Sequence, residues 1–334
     1  MPGGYPGYMI FEDLQTTPTA SELLDTAFSR AARAGRAKHG VEAQQSMLQT
    51  ASNVLSDNLE YVVRDWPDFE TLDPFYYELA DALVGVDELR QHLSEVSWAG
   101  RKTHELGREY IGRLPKGDAD AAKKIRQQAF ARMGSVMNEV AADLEAIGEA
   151  RNTLSKLPDI DPEVPTIAVA GYPNVGKTAF VNSVTRAHNE TAAYPFTTTG
   201  INVGHVERDH LTYQIVDTPG LLDRPENERN EIESQATSAL AHVADLVLYF
   251  YDPSETCGYP LEDQQALQAE IEATVDAPMI VVCSKADLSE AIEADHYLTI
   301  PSETAGEAVG ETPMEVLEAA IERLDVDIEL PFER

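Results

Sequence analysis

The stretch Gly171-Tyr-Pro-Asn-Val-Gly-Lys-Thr178 decides the fold of the second half of this chain. It follows a short apolar run, Thr166–Ala170, and opens a segment with helical periodicity, Lys177–Arg186. A glycine-rich turn between a strand and a helix forms a Walker A loop, whose backbone N–H groups surround phosphate oxygens at the helix N-terminus. The sequence therefore predicts a phosphate-binding loop. The predicted nucleotide contacts in it are Gly171, Tyr172, Pro173, Asn174, Val175, Gly176, Lys177, Thr178 and Ala179.

The predicted cofactor of this loop is Mg²⁺. Lys177 is expected to neutralise the β- and γ-phosphates, and the Thr178 hydroxyl is expected to bind the metal. Val216-Asp-Thr-Pro-Gly220 ends an apolar strand, and a carboxylate delivered in this way, Asp217, reaches the same metal. The backbone N–H of Gly220 can approach a γ-phosphate and so sense whether that phosphate is present. Nucleotide contacts are accordingly predicted at Asp217, Thr218, Pro219 and Gly220.

A polar segment, Phe196-Thr-Thr-Thr-Gly200, lies between these two motifs. A threonine in this position can close over Mg²⁺ and the γ-phosphate, and the ordered loop relaxes after hydrolysis. The alternative is an ordinary polar loop before an edge strand.

Guanine recognition is predicted from Ser284-Lys-Ala-Asp287, which follows an apolar run and is similar to an Asn-Lys-x-Asp motif with serine in the first place. The Asp287 carboxylate can accept hydrogen bonds from N1–H and the 2-amino group of guanine, a donor pair that adenine lacks. Ser284 is shorter than asparagine, which predicts weaker binding with the same base preference. Lys285 is also predicted to contact the base. A further segment predicted to contact the base comprises Ser302, Glu303 and Thr304, with Glu303 in a position where alanine is common.

Two domains are predicted, a helical bundle at 1–157 and a nucleotide-binding domain at 166–334. A proline-rich linker at 158–165 joins them. Apolar residues recur at helical spacing before the linker, and after it short β-branched runs alternate with helical segments, typical of a mostly parallel sheet. The fold class is an α/β P-loop GTPase domain with a mostly parallel six-stranded sheet, preceded by an all-α helical bundle domain. One continuous helix from Asp118 to about Leu157 and a helix at Leu288–Ala294 are also expected.

The composition is strongly acidic. The 334 residues carry 58 Asp and Glu against 25 Lys and Arg, a formal net charge of −33. An acidic, lysine-poor surface is favoured by a salt-rich cytoplasm, because salt screens the self-repulsion. With two cysteines, no secretion signal and no apolar run near the roughly 20 residues needed to cross a bilayer, we expect a cytoplasmic protein without membrane contact.

The five motifs in this order resemble translation-factor-type GTPases, and Tyr194-Pro-Phe-Thr-Thr198 with Asp217-Thr-Pro-Gly-Leu-Leu222 resembles the Obg-like branch. The resemblance implies that Thr198, with Thr197 in reserve, senses Mg²⁺. Leu221 stands where Ras-like proteins place the glutamine that orients water, which an apolar side chain cannot do. Relatives of this kind often use K⁺ held partly by the loop asparagine, here Asn174. The alternative is that Asn174 only ties down the loop backbone.

The helical region before the linker and the segment Asn202-Val-Gly-His205 are similar to the nucleolar GTP-binding (Nog) family. The resemblance implies a GTP- and GDP-binding, slowly hydrolysing switch that contacts large-subunit rRNA and the pre-ribosomal particle. Without the long C-terminal extension of eukaryotic members, the chain looks like an archaeal, halophilic version, with no DNA partner expected. Rival interpretations are a weakly hydrolysing assembly placeholder and an Obg-like GTPase acting on another RNA or serving a metal transporter.

Local basic stretches in the first domain indicate RNA contact independently. Residues 28–40 contain four cations and no acid, and residues 101–132 contain nine cations against four acids. Arginines three residues apart on a helix form a stripe suited to phosphate contacts, although a solvated helix face is the alternative. The candidates for RNA binding are Arg30, Arg33, Arg36, Lys38, Arg101, Lys102, Lys123, Lys124 and Arg126.

Overall fold

The computed structural model describes residues 10–157, 160–185, 190–192, 201–208, 211–217, 222–223, 225, 229, 234, 237, 240–300 and 310–324. Among these, contacts divide the chain into two units. The helical unit comprises Ile10–Thr71 and Val84–Ser155, and the α/β unit comprises Leu72–Leu83 and the residues from Lys156 onward. The boundary predicted from the sequence, at residue 157, stays a prediction; by contacts, the short segment Leu72–Leu83 groups with the α/β unit.

The helical unit is built from five helices: α1 (Ala20–Arg36), α2 (Gly40–Arg64), α4 (Val86–Gly112), α5 (Ala119–Glu139) and α6 (Ala141–Leu154). α1 begins with a capping box, in which the Thr19 hydroxyl accepts from the N–H of Glu22 and the Glu22 carboxylate accepts from the N–H of Thr19. The core between these helices is fully buried and aliphatic; it includes Leu48, Leu55, Leu59, Met133 and Met137.

The prediction of one continuous helix from Asp118 to Leu157 was wrong. The helix is interrupted at Val140, whose φ of −101° and ψ of 15° separate α5 from α6. The N–H of Val140 still donates to Val136 O at 3.3 Å, and the N–H of Leu144 donates to Val140 O at 3.1 Å. Because the hydrogen-bond spacing is kept across the interruption, the apolar periodicity runs through it and gives no signal of it.

Among its described residues, the α/β unit has a sheet of seven strands: β1 (Thr166–Ala170), β2 (Glu190–Ala192), β3 (Ile201–Arg208), β4 (Leu211–Asp217), β5 (Leu246–Tyr251), β6 (Met279–Cys283) and β7 (His296–Tyr297). Their order is β2-β3-β4-β1-β5-β6-β7. The pairs among β4, β1, β5, β6 and β7 are parallel, and β3 is antiparallel to both of its neighbours. The predicted fold class is confirmed. The strand number needs a correction from six to seven, because the short β2 pairs at the edge of the predicted β3–β4 hairpin.

The described helices of the α/β unit are α3 (Pro74–Val84), α7 (Lys177–Val184), α8 (Leu261–Thr274) and α9 (Pro313–Arg323). The last residue of α3, Val84, groups with the helical unit. The predicted helix at Leu288–Ala294 was wrong: residues 286–288 form a turn and residues 289–291 are irregular. Leu288 is 58% exposed, so this leucine does not anchor a helix against the sheet. No helix in the described ranges is both long and apolar enough to cross a membrane.

The end of the proline-rich linker is tied to the sheet. Gln214 on β4 is fully buried, and its side-chain amide pairs with Asp161 as a strand would: Nε2 donates to Asp161 O at 2.7 Å, and Oε1 accepts from the Asp161 N–H at 2.9 Å. The Tyr76 hydroxyl on α3 donates to Ile160 O at 2.7 Å and accepts from the Ile160 N–H at 3.1 Å. α3 and the linker end therefore share one hydrogen-bonded cluster in the α/β unit.

Candidate nucleotide-binding site

The phosphate-binding loop turns sharply where β1 ends. Gly171 has a φ of +126°, and a Cβ there would lie 2.5 Å from the carbonyl oxygen of Phe250 on β5. Gly176, at a φ of +107°, occupies the N-cap position of α7. Both positions need glycine, since side chains rarely tolerate a positive φ and only hydrogen fits beside β5. The glycine spacing in the sequence thus reports a real backbone constraint.

Lys177 lies inside the loop that precedes it. Its side chain is buried, and Nζ donates to Gly171 O at 2.5 Å and to Tyr172 O at 2.9 Å. Burial lowers the pKa of the Lys177 ammonium below its usual range, although the nearby carboxylates of Asp223 and Asp217 favour the charged form. A phosphate bound in the loop would add negative charge beside the Lys177 ammonium and would favour its charged form further.

Thr178 and Asp217 meet at the ends of neighbouring elements. Asp217 ends β4 beside Val169 of β1, and the Thr178 hydroxyl at the start of α7 donates to Asp217 Oδ2 at 2.6 Å. Asp217 is fully buried, and its Oδ1 has no hydrogen-bond partner among the described residues. Burial raises the pKa of the Asp217 carboxyl above its usual range, against the hydrogen bond from Thr178 and the charge of Lys177.

This oxygen set fits Mg²⁺. A hydroxyl and a carboxylate with an unused buried oxygen are hard oxygen ligands of the kind that Mg²⁺ takes from protein, so Thr178 and Asp217 would hold the metal. Thr178 and Asp217 are thus brought together as predicted.

Asn202 is a residue of this site that sequence reasoning did not identify. It pairs with Asp217 across the antiparallel β3–β4 ladder, and its Nδ2 lies 3.4 Å from Asp217 Oδ2. The hydrogen bond helps to keep the carboxylate charged. The only signal for it is the register of the hairpin, which the sequence does not specify.

Ser284 links the base-binding segment to the phosphate-binding loop. Its main-chain N–H donates to Tyr251 O at 2.8 Å, and its hydroxyl lies 2.5 Å from Val175 O and 2.7 Å from Tyr251 O. The side chain is 1% exposed. The serine therefore holds the ends of β5 and β6 against the loop at Val175.

Asp287 is exposed at the same edge of the sheet. Its N–H donates to the Thr299 hydroxyl at 3.1 Å, and the same hydroxyl lies 3.2 Å from Asp287 Oδ1. Its other carboxylate oxygen has no hydrogen-bond partner among the described residues, so it is available as an acceptor for a base. Lys285 lies between Ser284 and Asp287 in the sequence, and its ammonium donates to Asp252 Oδ2 at 2.6 Å.

The remaining loop residues differ in exposure. Asn174 is exposed at a φ of +64° and makes no hydrogen bond to another described residue, so within these residues its amide does not tie down the loop. The buried Tyr172 ring lies 4.3 Å, centroid to centroid, from the ring of Tyr259. Pro173 is partly exposed, and Ala179 lies on the exposed side of the first turn of α7.

Nine predicted residues lie outside the described ranges. They are Thr197, Thr198, Thr218, Pro219, Gly220, Leu221, Ser302, Glu303 and Thr304.

The predicted RNA-binding residues divide into paired and unpaired cations. Lys38 pairs with Glu42 at 3.0 Å and Lys102 with Glu105 at 3.4 Å, both at the surface. The Arg101 guanidinium donates to the Ser97 hydroxyl at 2.8 Å. Among the candidates on α1 and α5, five are exposed and form no ion pair with a described residue; they are Arg30, Arg33, Arg36, Lys123 and Lys124.

Arg126 differs from the other candidates because it packs into the helical unit. Its guanidinium carbon lies 5.1 Å from the centre of the Phe130 ring, which in turn stacks on Phe28 of α1 at 4.4 Å. Burial lowers the pKa of Arg126 below its usual range. The aromatic stack holds together the two helices that carry the unpaired cations.

The sheet order, the glycine-rich loop and the Thr178–Asp217 pair define a nucleotide-binding protein of the P-loop GTPase class. The family described as NOG1 N-terminal helical domain matches residues 11–161, and Nucleolar GTP-binding protein 1 (NOG1) matches residues 231–287. The chain belongs to the nucleolar GTP-binding (Nog) family, as its sequence motifs predicted.

Two individual proteins and one solved structure show how far the similarity extends along the chain. An uncharacterized protein of Methanocaldococcus jannaschii is 39% identical over 73% of this chain and 69% of its own length. Nucleolar GTP-binding protein 1 of Drosophila melanogaster is 38% identical over 70% of this chain and 36% of its own length. This chain thus spans less than half of the fly protein. A crystal structure described as nucleolar GTP-binding protein 1 from Plasmodium falciparum covers 50% of this chain and 90% of its own, with 31% identity and a TM-score of 0.43.

Proposed function

We propose that this protein binds GTP and GDP with Mg²⁺, hydrolyses GTP slowly, and acts as a switch in assembly of the large ribosomal subunit. The observation that carries the proposal is the Ser284 hydroxyl, which joins the base-binding segment to the phosphate-binding loop at Val175 O. A chain that bound phosphate alone would not need this link. We further propose that the protein is cytoplasmic and uses neither membrane nor DNA as a partner.

The described residues have clear roles in this proposal. Lys177 would meet the β- and γ-phosphates, while Thr178 and Asp217 would hold Mg²⁺, which offsets the charge that builds up on the phosphates. Asp287 would accept hydrogen bonds from the guanine edge. The switch roles of Thr198 and the Gly220 N–H remain proposals from the sequence.

Slow turnover follows from Leu221, since its apolar side chain cannot orient water. Asn174 is free to contribute to a K⁺ site, because its exposed amide makes no hydrogen bond to another described residue. Single-turnover GTP hydrolysis, measured in high KCl and in equally high NaCl, tests this part. Faster hydrolysis in KCl supports it, and an Asn174→Ala variant is expected to lose the difference. Absence of hydrolysis in both salts would favour the assembly placeholder.

For the RNA partner, we propose the unpaired cations of α1 and α5. These five cations have no ion-pair partner among the described residues, although the chain has a net charge of −33. Their charge is therefore available to phosphates. Crosslinking in cells followed by sequencing of the bound RNA tests the partner. Large-subunit rRNA is the expected result, and recovery of tRNA in its place would end this part of the proposal.

A further inference from the structure

The loop that follows β5 begins with a buried carboxylate that phosphate and Mg²⁺ binding do not use. Asp252 is fully buried, and its two oxygens have separate partners. Oδ1 accepts from the Ser254 N–H at 3.0 Å and from the Ser254 hydroxyl. Oδ2 accepts from the Cys257 N–H at 2.7 Å, from the Thr256 hydroxyl at 2.9 Å and from Lys285 Nζ at 2.6 Å.

The main chain of Asp252 is held as firmly as its side chain. Its N–H donates to Gln264 Oε1 at 2.9 Å, and its carbonyl accepts from Gln264 Nε2 at 3.1 Å. Gln264 is fully buried on α8 and also donates to Tyr259 O at 3.0 Å. The carboxylate therefore sits at a fixed point of the unit.

Burial by itself would raise the pKa of the Asp252 carboxyl. The hydrogen bonds from Lys285, Ser254 and Thr256 and the charge of Lys285 outweigh burial, so this pKa lies below its usual range. Asp252 is thus a charged partner for Lys285 at neutral pH.

Lys285 needs such a partner because its backbone is strained. Its φ is +51°, in the left-handed region that is unfavourable for a residue other than glycine. On one side, Ser284 is fixed to Tyr251 and Val175; on the other, the Ala286 N–H donates to Leu298 O at 3.2 Å. The ion pair with Asp252, supported by the Thr256 hydroxyl at 2.9 Å from Nζ, holds the residue between these points.

We infer that Asp252 is a positioning residue for guanine recognition, which holds Lys285 and, through it, the segment that presents Asp287. The inference rests on the proposed binding of guanine nucleotides and adds a residue 33 positions from the base-binding segment. The same loop reaches the phosphate-binding loop through the Tyr172–Tyr259 contact. Its effect is nevertheless expected on the base, because Asp252 has no described contact with Gly171–Thr178.

The test compares binding of GDP with binding of pyrophosphate, both with Mg²⁺, by isothermal titration calorimetry. Asp252→Asn keeps the shape of the side chain and removes the charge. It is expected to weaken GDP binding about tenfold and to leave pyrophosphate binding unchanged. The matched control is Asp295→Asn, the same change at a carboxylate that accepts from the Val281 N–H at 2.8 Å and has no described contact with Lys285; it is expected to bind GDP like the wild type.

A double-mutant cycle separates positioning from simple support of the fold. If Asp252 acts through Lys285, adding Asp252→Asn to Lys285→Met weakens GDP binding no further. Thr256→Val, a milder change in the same cluster, carries the test should Asp252→Asn fail to fold; a loss of about threefold for GDP alone is expected.

The outcomes distinguish two failures. If the wild type binds no GDP, the proposed function itself is wrong. If the wild type binds GDP and the folded variants at Asp252 and Thr256 bind it equally well, or lose GDP and pyrophosphate alike, or if the cycle is additive, the positioning role alone is overturned.

Discussion

Replacing Ser284 with alanine tests the link between the two halves of the nucleotide site. The hydroxyl has one hydrogen for two carbonyls, at 2.5 Å on Val175 and 2.7 Å on Tyr251. Tyr251 O keeps its second donor, the Ser284 N–H at 2.8 Å, so alanine removes chiefly the tie to the phosphate-binding loop. Loss of one hydrogen bond in a site that is 1% exposed costs about 1–2 kcal/mol. If binding requires the joined arrangement, GDP affinity falls roughly 5- to 30-fold.

Ser183→Ala is the matched control. The Ser183 hydroxyl also lies close to a main-chain carbonyl, Phe180 O at 2.6 Å, but within one turn of α7 and without joining two elements. It is expected to bind GDP like the wild type. GDP·Mg²⁺ titrations supply the affinities, and urea unfolding checks that both variants are folded. Wild-type affinity in Ser284→Ala, or an equal loss in Ser183→Ala, would refute the reasoning.

Three further predictions concern the metal, the base and the loop. The pKa of the Asp217 carboxyl is raised in the folded state, so the stability that this group contributes is full below its unfolded-state pKa and is lost as pH rises through its folded-state pKa. Urea unfolding without Mg²⁺ should show this loss of stability with rising pH, and Asp217→Asn should abolish it. Mg²⁺ needs the ionised form, so Mg²⁺ affinity should decline with falling pH, starting at higher pH in Thr178→Val, and an unchanged profile in that variant would contradict us. Asp287→Asn should lose GDP binding and gain binding of xanthosine diphosphate, which equilibrium titration with both nucleotides measures. Gly171→Ala places a methyl group 2.5 Å from Phe250 O and should destabilise the protein by about 2–4 kcal/mol in urea unfolding. The loss should be larger than that of Gly176→Ala, whose added methyl group has its nearest neighbours 3.9 Å away. Equal losses of stability in the two variants would mean that the contact with β5 does not matter.

The parts of the site that could be predicted are those whose signal is local. Gly171, Lys177 and Thr178 lie within eight residues, and their spacing alone encodes the turn and the helix start. Asp217 was predictable because a strand that ends in a carboxylate delivers it to the edge where the loop lies. Asn202 and Asp252 were not predictable, because they reach Asp217 and Lys285 only through strand register and through a loop fold set by Gln264.

The errors in the fold have the same cause. The apolar spacing around Val140 is that of a continuous helix, although the φ and ψ of this residue interrupt it. The segment at Leu288 alternates like a short amphipathic helix, yet its leucine is exposed and finds no apolar surface to cover. The short β2 exists because the β3–β4 hairpin offers an edge with which three residues can pair.

The cluster of Tyr76 and Ile160 has a consequence for the order in which the chain is made. α3 leaves the ribosome early, with Phe75, Tyr76, Leu79 and Ala80 destined for burial in the α/β unit. The Ile160 partner follows 84 residues later. At about 5–20 residues per second, Tyr76 is made roughly 4–17 s before Ile160, to which it is hydrogen-bonded in the folded unit. The intervening residues complete α4 to α6 of the helical unit, so the chain must finish that unit's helices before the bond between Tyr76 and Ile160 can close.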